Sequence, residues 1–334
     1  MKNNNDFSQI LESYFEKHLK LERRFSDNTY ITYLNVIKQY LDFLEKQKIK
    51  RKDIGINHFN KANILKFLEY IEKELKCEPS TRNHKLTIIN SFLEYAQSIN
   101  PTYLNICLES KSIKLKRIVH KKMDYMSIDE LKTFMSVIDL KHKTGYKHYV
   151  LFSVLYETAV RVSELVNIKV NDLFLSDKNP YIKITGKGNK ERLIYINDNL
   201  VLIIKEYMNK FKIEEGYLFL NNSKRQYTRF GINKLVDKYV SIAKKECPTL
   251  ERKAISPHTF RHSKAVHFLE NGTALPTIQR FLGHNSIQTT EIYLDITNDI
   301  VAKAVETAAD LINTNKEKAI WSDNKLLELL ESIK

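Results

Sequence analysis

Apolar residues recur at helical spacing through the first hundred positions. In Phe7 to Lys20, Ile10, Leu11, Tyr14, Phe15 and Leu19 fall on one face. Ser26-Asp27-Asn28 offers N-cap chemistry for a second helix, Thr29 to Glu45, with Tyr33, Ile37, Tyr40, Leu41 and Leu44 inward. A third helix covers Lys61 to Lys76. Pro79-Ser80-Thr81 starts a fourth, whose stripe is Leu86, Ile89, Phe92, Leu93 and Ala96, and Asn100-Pro101 stops it. These stripes predict a small four-helix unit over residues 1–108. From Glu109 to Lys122 helical periodicity gives way to Lys and Arg, so residues 109–122 read as a basic interdomain linker.

A second domain, 123–334, opens on the capping box Ser127-Ile128-Asp129-Glu130. Tyr146 to Ile168 is a strongly apolar helical region, interrupted by Arg161 with Glu164 three residues on. A guanidinium among so many apolar neighbours must be paired or face a cavity, because burying it alone is costly. The pattern then changes to period two: Pro180 to Thr185 and Glu191 to Ile196 make a hairpin around Gly186-Lys187-Gly188-Asn189-Lys190. Helices are expected at Leu200–Phe211 and Gly231–Lys245, with a strand or turn at Tyr217–Leu220. Leu282-Gly283-His284 reads as a turn, then a short helix with Tyr293 near its end, and a further helix over Val301 to Leu311. The stretch Ser322 to Lys334 places Leu326, Leu329, Leu330 and Ile333 on one stripe of a charged helix, suited to folding back or to docking on a second subunit. The fold class is therefore mainly α with a small β-hairpin or sheet, in two domains.

Composition sharpens this picture. With 54 Lys+Arg against 40 Asp+Glu, the chain carries +14 spread along its length, which suits a polyanion, although a solvated basic surface also accounts for it. Three widely spaced cysteines, Cys77, Cys107 and Cys247, make neither a disulfide framework nor a zinc ligand set. No stretch reaches the ~18 apolar residues of a membrane span, and the N-terminus has no signal-like apolar run, so the expected location is the cytoplasm.

The residues with chemistry to offer concentrate late in the chain. His258 and Arg261, three apart on an expected helix, project from one face. With Arg161, Lys187, His284 and Tyr293 they form a set suited to attack on a phosphodiester. Two arginines can clamp the anionic oxygens with donors that stay charged at any working pH. A tyrosine, with a free pKa of about 10, needs a base or a cationic site to act as nucleophile. His258 is the candidate base, Lys187 the candidate general acid for the leaving oxygen, and Lys190 a second candidate across the turn. His284 is a candidate donor to a non-bridging oxygen.

Four stretches, TAVRVSEL (158–165), ITGKGNKERLIYI (184–196), HTFRH (258–262) and LGHNSIQTTEIYL (282–294), resemble the tyrosine recombinases, the phage-integrase and Xer family. The motifs fall in the family's order, and the step of nine from His284 to Tyr293 fits its pattern. The resemblance implies a core-binding helical domain and a catalytic domain closing on duplex DNA as a C-shaped clamp. It also implies a 3′-phosphotyrosyl intermediate with no cofactor, ATP or metal, and strand exchange within a homotetramer, with the terminal helix Ser322–Lys334 as a link in trans. Asn28, Thr29, Thr81, Arg82 and Lys85, at the starts of the second and fourth helices, are candidate DNA contacts. Two departures stand out: Ala159-Val160 replaces the usual Gly-Leu before the first arginine, and HSKA (262–265) replaces HTFA, a form closer to transposon-borne members. A type IB topoisomerase and a catalytically silent DNA-binding regulator are the rival readings.

Overall fold

The structure is a computed structural model that describes residues 3–118 and 123–283, without the side chains of residues 3–5 and Lys187. The expectations for His284, Tyr293, Val301–Leu311 and Ser322–Lys334 lie outside the described residues. The chain divides into two compact units, with the division between Lys121 and Lys122.

The first unit is helical. α1 (Asn3–Ser13) continues as a π-helical run, Tyr14–Glu22, so the expected first helix is longer and changes its winding midway. α2 (Asp27–Lys46) is capped by Ser26, whose hydroxyl accepts the Thr29 N–H. α3 (Lys61–Lys73) is capped by Asn60, and α4 (Pro79–Ile99) begins on its proline. Their stripes meet in one core in which Tyr14, Tyr40, Phe59, Phe67 and Phe92 are fully buried. Rings there meet largely edge-on or tilted, as between Tyr40 and Phe67 at 5.1 Å.

Two expectations for this unit need correction. A fifth helix, α5 (Leu104–Lys111), crosses the expected boundary at residue 108 and runs into the stretch read as linker. Beyond it Ile113 is buried in the same core, and Asn83 holds Lys116 by two bonds: its Oδ1 accepts the Lys116 N–H at 3.0 Å, and its amide donates to the Lys116 carbonyl at 2.8 Å. The basic stretch is thus strapped to the unit through residue 116. Arg82, expected on the polar side of α4, is 5% exposed and donates to the Lys114 carbonyl beside Glu72.

In the second unit Ser127 and Glu130 form the expected capping box at the start of α6 (Ile128–Ser136). Glu130 also bonds the Lys253 ammonium at 2.6 Å and the Thr249 hydroxyl, tying this helix start to a segment more than a hundred residues on. The apolar region 146–168 is not one helix. α7 (Lys143–Thr158) ends at Ala159, and a single turn, α8 (Val162–Leu165), follows. The sheet has three antiparallel strands, β1 (Leu173–Phe174), β2 (Tyr181–Thr185) and β3 (Glu191–Tyr195), one more than the hairpin expected. Tyr217–Leu220 makes only isolated bridges, Lys169 to Tyr217 and Leu220 to Gln226. α9 (Asp198–Phe211), α10 (Arg229–Glu246), α11 (Pro257–Glu270) and α12 (Leu275–Leu282) complete it. No helix among the described residues is long and apolar enough to cross a membrane.

A buried polar cluster lies within the core of this unit. His148 of α7 lies with Nδ1 2.8 Å from the Tyr239 hydroxyl and Nε2 3.4 Å from that of Tyr227. Burial, with Lys238 and Lys147 nearby, pushes its pKa down to about 4. Folding therefore favours the neutral ring, so its contribution is complete above the free value of about 6.5 and is lost as pH falls toward 4. At pH 5 the loss is on the order of 2 kcal/mol. Thermal unfolding of the full chain should show a clearly lower midpoint at pH 5.0 than at pH 7.5. His148→Gln, which retains a hydrogen-bonding group without titrating, should shrink that difference; an unchanged difference would remove His148 as its source.

Candidate active site

The site begins where α7 breaks. Ala159 adopts the left-handed conformation, φ 48° and ψ 29°, which costs a residue with a side chain roughly 1–2 kcal/mol. Its methyl is fully buried against Ala265, Val266, Leu269, Ile278 and Leu282, a contact glycine would not supply. The turn therefore forms with Ala159-Val160 in the place of Gly-Leu. It sets Arg161 at the N-cap of α8, where Glu164 accepts its backbone N–H at 2.8 Å and its Nη1 at 3.0 Å.

Arg161 is paired as its apolar surroundings required, and its side chain remains 38% exposed. Glu164 is buried and has a second partner that sequence reasoning missed. Arg192 of β3 grips both carboxylate oxygens, at 3.0 and 2.8 Å. Burial alone would raise the Glu164 carboxyl, but the Arg192 fork, the Arg161 N–H and both positive charges hold it below the ordinary carboxylate range. A signal for Arg192 was present: it shares strand parity with Ile194, which faces the core.

α11 carries the next pair. Pro257 occupies its first turn and Ser256 caps it, so His258 stands at the helix start, exposed, while Arg261 lies one turn deeper at 3% exposure. Arg261 donates to the Ala159 carbonyl at 2.7 Å and to the Leu282 carbonyl. These acceptors stand two residues before Arg161 and two before His284. Gly283, at the end of α12, has φ 65°, the left-handed turn expected at Leu282-Gly283. Desolvation of its ring, then the charges of Arg261 and Arg161, hold His258 below the ordinary histidine value. That direction favours the neutral ring, the form that can accept a proton. His262, given no role in the sequence reading, is pushed down to about 4 by burial, His258 and Arg261.

The β2–β3 turn reaches the same place. Gly186 donates its N–H to the Lys190 carbonyl at 2.8 Å, and Gly188 takes φ 74°, so the backbone of Lys187 opens a tight turn. A Cβ on Gly186 would lie 3.3 Å from Glu164 Oε1, which places this turn against the carboxylate that holds Arg161. The structure therefore brings together Arg161, His258, Arg261 and the backbone that carries Lys187. His284 and Tyr293 lie beyond the described residues. Among those residues no three His, Cys, Asp or Glu side chains stand close enough to hold a metal ion.

The candidate DNA contacts of the first unit are divided. Thr81 and Lys85 line a groove of about 530 Å³ with Thr32, Lys38, Gln39 and His84. Lys85 donates to Gln39 at 2.6 Å there. Asn28 is exposed at the start of α2, and Thr29 places its hydroxyl 3.0 Å from that of Ser26. Arg82, in contrast, faces the strapped segment and not the groove.

Known proteins share this organisation. Residues 124–299 match the phage integrase family, and residues 11–99 match the phage integrase N-terminal SAM-like domain. The chain is 30% identical over 299 residues to tyrosine recombinase XerD of Staphylococcus haemolyticus, covering 86% of this chain and 94% of that protein. Among solved structures, XerH site-specific recombinase bound to its palindromic difH substrate has TM-score 0.65 at 21% identity, covering 91% and 89% of the two chains. The Tn1549 transposon integrase in complex with transposon right end DNA also has TM-score 0.65, at 15% identity, covering 88% and 98%. The chain belongs to the phage integrase family and is a tyrosine recombinase, an enzyme of DNA cleavage and strand exchange.

Proposed function

We propose that Tyr293 is the nucleophile and that Arg161, Arg261, His258, Lys187 and His284 serve it. The observation that carries this reading is the Arg261 fork, which ties the segment before Arg161 to the segment before His284. In the cleavage step the Tyr293 oxygen attacks phosphorus and the bond to the 5′ oxygen breaks. His258 takes the phenolic proton, and Lys187 gives a proton to the departing 5′ oxygen. Arg161, Arg261 and His284 carry the charge that gathers on the non-bridging oxygens. A 5′-hydroxyl from the partner duplex then attacks the phosphotyrosine and reverses each transfer. The phosphotyrosine retains the energy of the broken bond, so the step needs no ATP.

Exchange between two duplexes requires two cleavages on each. We therefore propose a homotetramer on double-stranded DNA in the cytoplasm, with Ser322–Lys334 docking in trans. On this reading residues 1–121, with α5 and the strapped basic stretch included, form the core-binding domain, and residues 122–334 the catalytic domain. Groove residues Thr81 and Lys85, with Asn28 and Thr29, are the proposed contacts to the DNA backbone. Arg82 is withdrawn from that set because its guanidinium is consumed inside the unit.

Lys187 is tested with a duplex bearing sulfur at the bridging 5′ position, a leaving group that needs no proton. Nicked suicide duplexes tiled across the DNA flanking the gene first locate the cleaved site as a protein–DNA adduct. On the oxygen substrate Lys187→Ala should slow adduct formation by about 10²–10⁴-fold, and the sulfur substrate should restore it. The same pattern in Lys190→Ala, with Lys187→Ala unaffected, would transfer the role across the turn. In the first unit, Lys85→Ala should lower DNA affinity and reduce the slope of log affinity against log salt by about 1. Arg82→Ala should lower the unfolding midpoint and leave that slope unchanged; a changed slope would return Arg82 to the DNA interface.

A further inference from the structure

β3 places a charge where its alternation calls for an apolar residue. Glu191, Leu193 and Tyr195 face outward, whereas Ile194 faces the core and Arg192 shares its side. In the sheet register Arg192 stands opposite Ile184, itself buried. A guanidinium at that position has to be met from the core side, and Glu164 meets its two terminal nitrogens through two parallel bonds, while Nε has no hydrogen-bond partner among the described residues.

Glu164 already accepts both the backbone N–H and Nη1 of Arg161. Two arginines therefore share one buried carboxylate, and the three groups carry one net positive charge. Without Arg192 the Arg161–Glu164 pair would be neutral. The carboxylate would then compete with a phosphate for the Arg161 guanidinium. The shaft of Arg192 also lies along the end of α12: a Cβ on Gly283 would come within 2.9 Å of Arg192 Cδ and 3.0 Å of its Nε. One side chain thus touches the elements that carry Arg161 and precede His284, from the strand that follows Lys187.

We propose that Arg192 is a positioning residue for strand cleavage: it neutralises Glu164 so that the charge of Arg161 stays available to the scissile phosphate. This rests on the reading of Arg161 as a phosphate clamp. The expected consequence is that an Arg192 defect is relieved by removing the Glu164 charge as well. A purely structural role would also relieve the unpaired buried carboxylate, but the unfolding midpoint would then fall and recover in step with cleavage, whereas a positioning role slows cleavage in a chain that keeps its unfolding midpoint and DNA affinity.

The test measures single-turnover adduct formation, DNA affinity and the unfolding midpoint for the full-length chain, with the suicide duplex the wild type cleaves as substrate. Arg192→Gln should bind DNA as the wild type does and cleave about 10²-fold more slowly. Arg192→Lys, which retains the charge without the fork, should fall between them. The double variant Arg192→Gln/Glu164→Gln should cleave faster than Arg192→Gln alone, since the amide that replaces the carboxylate still accepts the Arg161 N–H without holding its charge. If Arg192→Gln does not fold, the Lys variant decides: slower cleavage with affinity kept supports the role, and equal loss of both overturns it. Wild-type cleavage by Arg192→Gln, a double variant no faster than the single, or an unfolding midpoint that falls and recovers in step with cleavage also overturns it. No adduct from the wild type overturns the phosphotyrosine reading and this role together; a cleaving wild type with any of the other failures overturns this role alone.

Discussion

A buried guanidinium that cannot go unsatisfied organises the catalytic unit. Arg261 is 3% exposed, and removing such a charge from water is tolerable only if its donors are met. Two of its partners are backbone carbonyls, at Ala159 and Leu282, supplied by chain segments far apart in sequence. Backbone acceptors keep the group charged without cancelling it, so Arg261 remains cationic beside His258. The same bonds set the places of the turns that lead to Arg161 and His284. The strain at Ala159 is borne because its carbonyl and its methyl are both used, the first by Arg261 and the second by the small core beneath the site.

Around that anchor the positive groups Arg161 and Arg192 gather on Glu164, which is enclosed between them. Glu164 is buried between Arg161 and Arg192, and the β2–β3 turn rests on it through Gly186. Desolvation, then the charges of Arg261 and Arg161, lower the proton affinity of His258 and favour its neutral ring. The positive charge that would attract the phosphate of the proposed reaction thus also favours the His258 form able to accept a proton.

Much of this was legible in the chain. The helix starts at Ser26, Pro79 and Ser127 follow from cap chemistry that acts within a few residues, and the hairpin from its period of two. The motif residues were legible because their spacing is chemical as well as structural. Where reading failed, the deciding contact was distant in sequence. Arg82 looked polar and exposed, yet its acceptor is the carbonyl of Lys114, and the basic stretch that supplies it looked like a free linker. The break at Ala159 was hidden because apolar residues continue on both sides of it, and the carbonyl that fixes it accepts from residue 261. β1 has only two residues, too short for any alternation to register. Arg192 could have been found by counting strand parity from Ile194, but only with the knowledge that this face is the buried one.

The most direct measurement is the chemical identity of the protein–DNA link. The adduct trapped on a suicide duplex would be digested and the peptide that retains nucleotide sequenced, with Tyr293→Phe prepared in parallel. The expected result is a 3′-phosphate on Tyr293, a free 5′-hydroxyl on the other side of the break, and no adduct from the Phe variant. A link to any other of the 18 tyrosines, or a 5′ linkage, would contradict the proposed chemistry.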